Sequence, residues 1–247
     1  MKGLFQSTSR NKLRAQTPDG IRIYAVGDIH GRADLLARTL KQIDADLETK
    51  APAGTIEVFL GDYVDRGPAS REVLELLIER ESTHRSVFLK GNHESLLTRF
   101  QTDPSILDGW QRLGGLETIM SYGVTPSINA DEVEQARLAV AFTRAFPDSH
   151  RRFLGNLKPS FTCGDYFFVH AGVRPGVPLT EQLEDDLLWI RQEFLLHEEE
   201  FSKIVVHGHT PVLQPDIRPN RINIDTGAYA TGRLTCVVLE ADTIRIL

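Results

Sequence analysis

Cysteine is scarce, with two residues, Cys163 and Cys236, in a chain of 247. Both sit in strand-like runs, so buried free thiols in a reducing compartment are expected rather than a disulfide framework or a thiolate metal centre. Long hydrophobic runs are also missing, and no stretch approaches the ~18 apolar residues of a membrane span. Nor is there an excess of positive charge. A net charge of −6 argues against a protein that binds nucleic acid by charge alone. A small anionic substrate stays compatible, because bound metal ions bring positive charge that a formal count omits. Internal repeats and low-complexity segments are absent. The first eighteen residues carry Lys2, Arg10, Lys12 and Arg14 around no apolar core, which is not the pattern of a secretory signal. A mobile basic tail over 1–20, a single domain over 21–247 and a cytoplasmic location are the expectations.

What is present is an ordinary globular composition, 41% hydrophobic and 25% charged, in a chain long enough to bury a large core. Residues 21–26 read as a first strand, and Leu36, Leu40, Ile43 and Leu47 recur after it at helical spacing. A second strand at 56–60 precedes a helix whose buried face is Val73, Leu74, Leu77 and Ile78. A third strand at 87–89 runs through Gly91 into a helix that starts at Glu94. Alternating strand and helix with short connections implies an α/β fold with a parallel sheet. Residues 98–156 read as a helical insert capping one end of that sheet. It holds one helix over 107–116, weakened by Gly114-Gly115, and another over 133–146 between Asp131 and Pro147. Six strands follow, at 160–163, 166–169, 203–206, 221–224, 234–239 and 243–247, interrupted by one helix over 184–200.

Side chains suited to metals gather where strands end. Asp28 and His30 follow the first strand, Asp62 and Asp65-Arg66 the second, and Asn92-His93 the third. His170 follows the strand at 166–169, and His207 and His209 follow the one at 203–206. His84, His150 and His197 fall in polar stretches and read as solvated surface. Open α/β sheets collect ligands beyond the carboxyl ends of their strands, so this distribution points to one site rather than to scattered structural histidines. Aspartates, imidazoles and an amide oxygen, without thiolate, favour Mn, Fe or Zn. Six candidate ligands are too many for one ion that keeps open positions. They suit two ions sharing a carboxylate, with Asp62 as the natural bridge, and such a pair suits in-line displacement at phosphorus. An arginine fork matches a phosphate, and Arg66, Arg174 and Arg191 all lie near the motifs.

Gly27-Asp28-Ile29-His30-Gly31, Gly61-Asp62-Tyr63-Val64-Asp65-Arg66-Gly67, Gly91-Asn92-His93-Glu94, His170-Ala171-Gly172 and Gly208-His209-Thr210 resemble the motifs of the calcineurin-like metallophosphoesterases. More narrowly they are similar to the phosphoprotein phosphatase branch with its bacterial and phage members. The resemblance runs in order over about 21–230. It implies a four-layer α/β/β/α sandwich with a di-metal site: Asp28, His30 and Asp62 for the first ion, and Asp62, Asn92, His170 and His209 for the second. It implies His93 as the general acid, Asp65 as its orienting partner, and Arg66 as a phosphate ligand. The run 187–191 resembles the segment that supplies a second phosphate-binding arginine, which favours Arg191 over Arg174. Only His209 of the His207/His209 pair matches a ligand position, leaving His207 to support or packing, and Asp225 reads as a supporting residue or a plain turn. Pro211, where other branches place another histidine, speaks against the nuclease and cyclic-nucleotide branches.

The function implied is a two-metal serine/threonine protein phosphatase, most simply manganese-dependent, in which a metal-bridging hydroxide attacks the phosphorus. A phosphoprotein or phosphopeptide is its expected substrate. A symmetrical dinucleoside tetraphosphatase is the runner-up, since that family shares nearly every one of these motifs, and small phosphate esters fit the same core. Lys90 stands where eukaryotic members carry arginine, and the long regulatory tail of those members is missing, so no regulatory subunit is expected.

Overall fold

The computed structural model describes residues 15–49, 51–126 and 130–247. The basic residues of the expected tail, as far as Arg14, lie outside them. From Ala15 the chain is already packed. Ala15 and Thr17 are buried, the Gln16 N–H donates to Asp165 Oδ2 (2.9 Å), and the Thr17 N–H donates to the Ala241 carbonyl (3.1 Å). The boundary expected at residue 21 therefore falls inside the packed chain. Donors ahead of it are satisfied by residues far along the sequence, which local composition does not reveal.

Two five-stranded sheets carry the fold. The first contains β1 (Ile21–Val26), β2 (Gly54–Phe59) and β3 (Ser86–Phe88), mutually parallel and joined through α1 (Ala33–Thr49) and α2 (Ser70–Thr83). The second contains β4 (Ser160–Cys163), β5 (Tyr166–Val169), β6 (Ile204–His207), β7 (Asp216–Ile217) and β8 (Arg221–Asn223). In it β5, β6 and β8 run parallel, with β4 and β7 antiparallel at the edges. The chain then returns to the first sheet as β9 (Cys236–Glu240), antiparallel to β1, and β10 (Thr243–Ile246).

Period-two alternation sorts the side chains into layers. Ile23, Ala25, Ile56 and Val58 face the second sheet and pack with Phe168, Val206 and Ile222. Tyr24, Val26 and Phe59 face the opposite way, onto Leu36, Leu74 and Leu77 of α1 and α2. On the second sheet Phe167, Val169 and Val205 point outward and are covered by Leu187, Ile190 and Phe194. These last residues belong to α8 (Glu184–Trp189), α9 (Gln192–Leu195) and the link between them. Helix, sheet, sheet and helix are thus stacked as four layers, the α/β/β/α arrangement.

The insert continues the first helical layer through α3 (Asn92–Phe100), α4 (Leu107–Gln111), α5 (Gly115–Ser121), α6 (Glu132–Ala145) and α7 (Asp148–Gly155). Trp110, Ile119, Phe142 and Phe146 share a core with Phe59 and Tyr63, so the insert is packed into the sheet's own core. α6 starts where the Asp131 carboxylate accepts the Glu134 N–H (2.9 Å), a side-chain cap of the expected kind. Two expected helices are broken. Gly114 takes φ of 94° and divides 107–116 into α4 and α5. Arg191, at φ −132° and ψ −96°, separates α8 from α9, and the second piece stops at Leu195, short of the expected end at 200. Neither α7 nor the two-residue β7 was foreseen from the sequence.

A charged pair is buried in the first helical layer. Glu57 on β2 accepts from Arg80 Nε (2.9 Å) and Nη2 (2.6 Å), and the same arginine reaches Asp44 of α1 at 2.6 Å. Removing one partner leaves the other uncompensated in a low-dielectric layer. Arg80→Met is expected to lower the unfolding free energy by about 3–5 kcal/mol in urea titrations. The double variant E57Q/R80M is expected to recover part of that loss.

Candidate metal and phosphate site

The carboxyl ends of β1, β2 and β3 in one sheet and of β5, β6 and β8 in the other point to one place. The loops carry Asp28 and His30, Asp62 to Arg66, Asn92-His93, His170, His209 and Asp225 respectively. The first two loops are tied together by the backbone: Ile29 and His30 N–H donate to the Asp62 carbonyl (3.0 and 2.9 Å), and Gly31 N–H donates to that of Tyr63 (2.8 Å). Among the described residues six non-glycine residues have positive φ, and five of them are His30, Asp62, Asp65, Arg66 and His209. Left-handed backbone at non-glycine positions costs energy and persists where surrounding contacts enforce it, often at functional sites.

Glu94 supplies much of that enforcement. Its buried carboxylate accepts the N–H groups of Asp62 (2.9 Å), Tyr63 (2.8 Å), Val64 (3.3 Å) and Gly91 (3.0 Å). One side chain therefore pins the loop after β2 to the start of α3. Burial raises the pKa of Glu94, with nearby Asp62 adding to the rise, while His93 and then the Tyr63 and Gly91 N–H groups favour the carboxylate. Asp62 and α3 also meet directly, since Asp62 Oδ1 accepts the His93 N–H at 3.1 Å. A Cβ on Gly91 would lie 2.2 Å from that oxygen, so only glycine permits the approach.

Asp62 stands between two compact groups of ligand atoms, one with His30 and His93 and one with His170 and His209. His30 Nδ1 donates to the Val64 carbonyl (2.9 Å) and His170 Nδ1 to that of Leu60 (3.0 Å). Both rings therefore turn an Nε2 lone pair toward Asp62, at 3.5 and 3.4 Å. Asn92 Oδ1 lies 2.9 Å from His170 Nε2 and 3.0 Å from His209 Nδ1. Burial holds His30, His170 and His209 neutral, the first and last pulled down to about 3, and neutral imidazole is the form that binds metals. Burial opposes ionisation of Asp62, yet His170, His93 and His30, wherever those rings carry charge, outweigh it and hold that carboxyl below its usual range.

Asp28 lies outside both compact groups. Its Oδ2 accepts the His209 N–H (3.0 Å), while its buried Oδ1 has no hydrogen-bond partner. Burial, then Asp225, then Asp62 push its pKa well above the usual carboxylate range. Three carboxylates enclosed together with one orphaned oxygen form an environment that a cation would relieve. The donor set thus fits divalent ions.

His93 differs from its neighbours. Burial disfavours its charge, but Asp62 and the hydrogen bond to Asp65 outweigh burial and raise its pKa. Its Nδ1 lies 2.6 Å from Asp65 Oδ2. Asp65 is itself held by Trp110 Nε1 (2.7 Å) and the Thr118 hydroxyl (2.6 Å), both from the insert. Arg66 Nη1 and Nη2 reach His30 Nε2 (3.0 Å) and His93 Nε2 (3.3 Å), and Arg191 Nε donates to His209 Nε2 (3.1 Å). One arginine therefore contacts each histidine group. Arg174 does not take part, being paired with Asp186 (2.6 Å) and Glu193 (2.8 Å).

All ten residues expected at the site are brought together. Glu94, Trp110 and Thr118 are additions. Glu94 lies within the Gly-Asn-His-Glu motif, where the local pattern marks only a helix start, whereas nothing local marks Trp110 or Thr118. Of the histidines read as surface, His84 and His197 are half-buried, and His150 is buried with Nδ1 2.7 Å from the Tyr122 hydroxyl. His150 belongs to α7, the unforeseen helix, and its polar neighbours in sequence gave no sign of burial. His207 packs edge-on against Phe194, with centroids 4.9 Å apart, as a packing residue would. Asp225 is buried and accepts the Gly227 N–H (2.8 Å) while bordering Asp28.

The chain belongs to the calcineurin-like phosphoesterase family, whose sequence profile matches residues 21–244. The fold and site are accordingly those of a metal-dependent phosphoesterase, a hydrolase. Among individual relatives, the bis(5′-nucleosyl)-tetraphosphatase PrpE (asymmetrical) of Anoxybacillus flavithermus is 28% identical over 240 residues, covering 90% of this chain and 92% of the relative. A solved structure provisionally described as a diadenosine tetraphosphatase superposes with a TM-score of 0.61 at 21% identity, covering 94% of this chain and 97% of that one. A protein serine/threonine phosphatase from Saccharomyces cerevisiae superposes with a TM-score of 0.57 at 15% identity, covering 92% and 79%. The two structures attest the fold alone. Among the described residues no helix is long and apolar enough to cross a membrane.

Glu94→Gln turns one acceptor oxygen into a donor facing backbone N–H groups. The substitution is expected to lower the unfolding free energy by about 3 kcal/mol, read by thermal or urea unfolding. An unchanged transition would remove Glu94 from its role as the clamp.

Proposed function

We propose that the protein is a two-metal dinucleoside tetraphosphatase. The chemistry rests on Asp62 between two sets of metal-suited donors, each set contacted by one arginine. The observation that carries the substrate class is the resemblance, over nine-tenths of the chain, to a relative named as a tetraphosphatase. This reverses the order expected from the sequence, which put phosphoserine and phosphothreonine in proteins first. The relative's name also specifies asymmetrical cleavage, and that mode replaces the symmetrical one of the sequence reading.

In this proposal Asp28, His30 and Asp62 hold one ion, and Asp62, Asn92, His170 and His209 hold the other. Oxygen and imidazole donors without thiolate suit Mn best, with Fe or Zn as alternatives. When bound, such ions polarise phosphoryl oxygens and lower the pKa of a coordinated water. Arg66 and Arg191 orient the phosphate bidentately. His93 carries a proton on Nε2 for the leaving phosphate oxygen, and Asp65 accepts from Nδ1, stabilising the charged ring and fixing its orientation. Trp110 and Thr118 hold Asp65 in place. Asn92 contributes an oxygen without adding negative charge that would repel the substrate.

Replacing Asp62 with alanine is expected to abolish turnover, and His93→Ala to lower kcat about 100- to 10,000-fold. Chelation should remove activity and Mn²⁺ restore it. With diadenosine tetraphosphate, chromatography should show ATP and AMP; two molecules of ADP would establish the symmetrical mode. Faster turnover of a phosphoserine peptide than of the dinucleotide, per kcat/KM, would return the protein phosphatase reading to first place.

A further inference from the structure

Two large aromatic side chains sit at the edge of the site without entering any core. Trp189, at the end of α8, and Tyr229, on α10 (Ala228–Thr231), are each 41% exposed. Their neighbours are specific. The Trp189 ring meets the His209 ring edge-on with centroids 6.2 Å apart, and Trp189 is two residues from Arg191. The Tyr229 ring meets the His30 ring edge-on at 5.5 Å, and the Arg66 guanidinium carbon lies 4.7 Å from its centroid. Each ring thus accompanies one arginine and one histidine, and the two histidines belong to the two different donor groups that share Asp62.

Trp189 and Arg191 also line a groove of about 540 Å³ together with Asp185, Asp186 and Gln192, within the ~300–1,000 Å³ range of small-molecule sites. The exposed Asp185 carboxylate and Gln192 amide can accept hydrogen bonds from the amino group of a base, whereas Asp186 is held by Arg174. An exposed aromatic face beside a phosphate-binding arginine is a surface on which a base joined to that phosphate stacks, and every base offers a π-face.

We propose that Trp189 and Tyr229 are the platforms on which the two nucleobases of the substrate stack, with one nucleoside in the Trp189 groove. This rests on the tetraphosphatase reading and assigns the residues that make it selective for a polyphosphate with an aromatic group at each end. Serine and threonine phosphoesters would leave both rings unused.

The test compares adenosine 5′-monophosphate with ribose 5-phosphate, which lacks the base, by calorimetric titration of the full chain. The nucleotide is expected to bind at least about tenfold more tightly. It should also quench tryptophan emission, since the chain has two tryptophans and the other, Trp110, is buried. W189A and Y229A should each shrink the ratio of the two affinities. Taking the ratio cancels effects that act through Arg66 or Arg191 on the phosphate alone. Equal affinities in the parent protein, or an unchanged ratio in both variants, would overturn the platforms. Hydrolysis of diadenosine tetraphosphate by the parent protein is assayed separately. Base preference without hydrolysis defeats the tetraphosphatase reading, whereas hydrolysis without base preference defeats the platforms.

Discussion

The carboxylate of Glu94 collects four backbone N–H groups from two different loops, and the geometry of the site descends from that contact. With those donors satisfied, the loop after β2 can adopt left-handed backbone at Asp62, Asp65 and Arg66. Asp62 is thereby brought against the first turn of α3, where its Oδ1 takes the His93 N–H. One interaction places the carboxylate proposed as the bridge, the amide and imidazole that follow Gly91, and the first arginine. Buried N–H groups need partners, so a strained loop and its clamp are parts of the same arrangement.

Electrostatics then divides the roles. The same burial that keeps His30, His170 and His209 neutral is overcome at His93 by Asp62 and Asp65. Three imidazoles are left neutral with a lone pair each, while the fourth is inclined to hold its proton. Asp28, Asp62 and Asp225 share the enclosure and repel one another, which is the condition a divalent cation relieves. The arginines are set outside this negative centre, where a phosphate would meet both signs of charge together.

The helical insert reaches the candidate site in a way that its composition does not advertise. Trp110 and Thr118 anchor Asp65, and the Gly114 carbonyl accepts the Arg66 N–H at 3.1 Å. Gly114 is also the point where the expected single helix breaks. Its φ of 94° puts the backbone so close to Arg66 that an added Cβ would lie 2.5 Å from the Arg66 nitrogen. The break in α4–α5 and the break at Arg191 serve the same end. Each interrupts a helix so that backbone or side chain reaches the site.

The local pattern carried a great deal. Strands of period two, glycine-punctuated turns and the identity of the residues beyond each strand end placed Asp28, His30, Asp62, Asn92, His93, His170 and His209 at one face, because strand-end position is a local property once the sheet is parallel. Other features depended on contacts between distant segments. Burial of His150, packing of Ala15 and Thr17, the Arg80–Glu57 pair and the anchoring of Asp65 by the insert each join residues that no window of sequence contains together. Arg191 stood out over Arg174 only by resemblance. In space the difference is physical, since Arg174 is held by Asp186 and Glu193 whereas Arg191 turns to His209. Side-chain chemistry along the chain thus pointed to a metal-dependent phosphoesterase and left its substrate class open. Tertiary packing decided how each group is oriented, charged and exposed, because those properties come from neighbours that only the folded chain supplies.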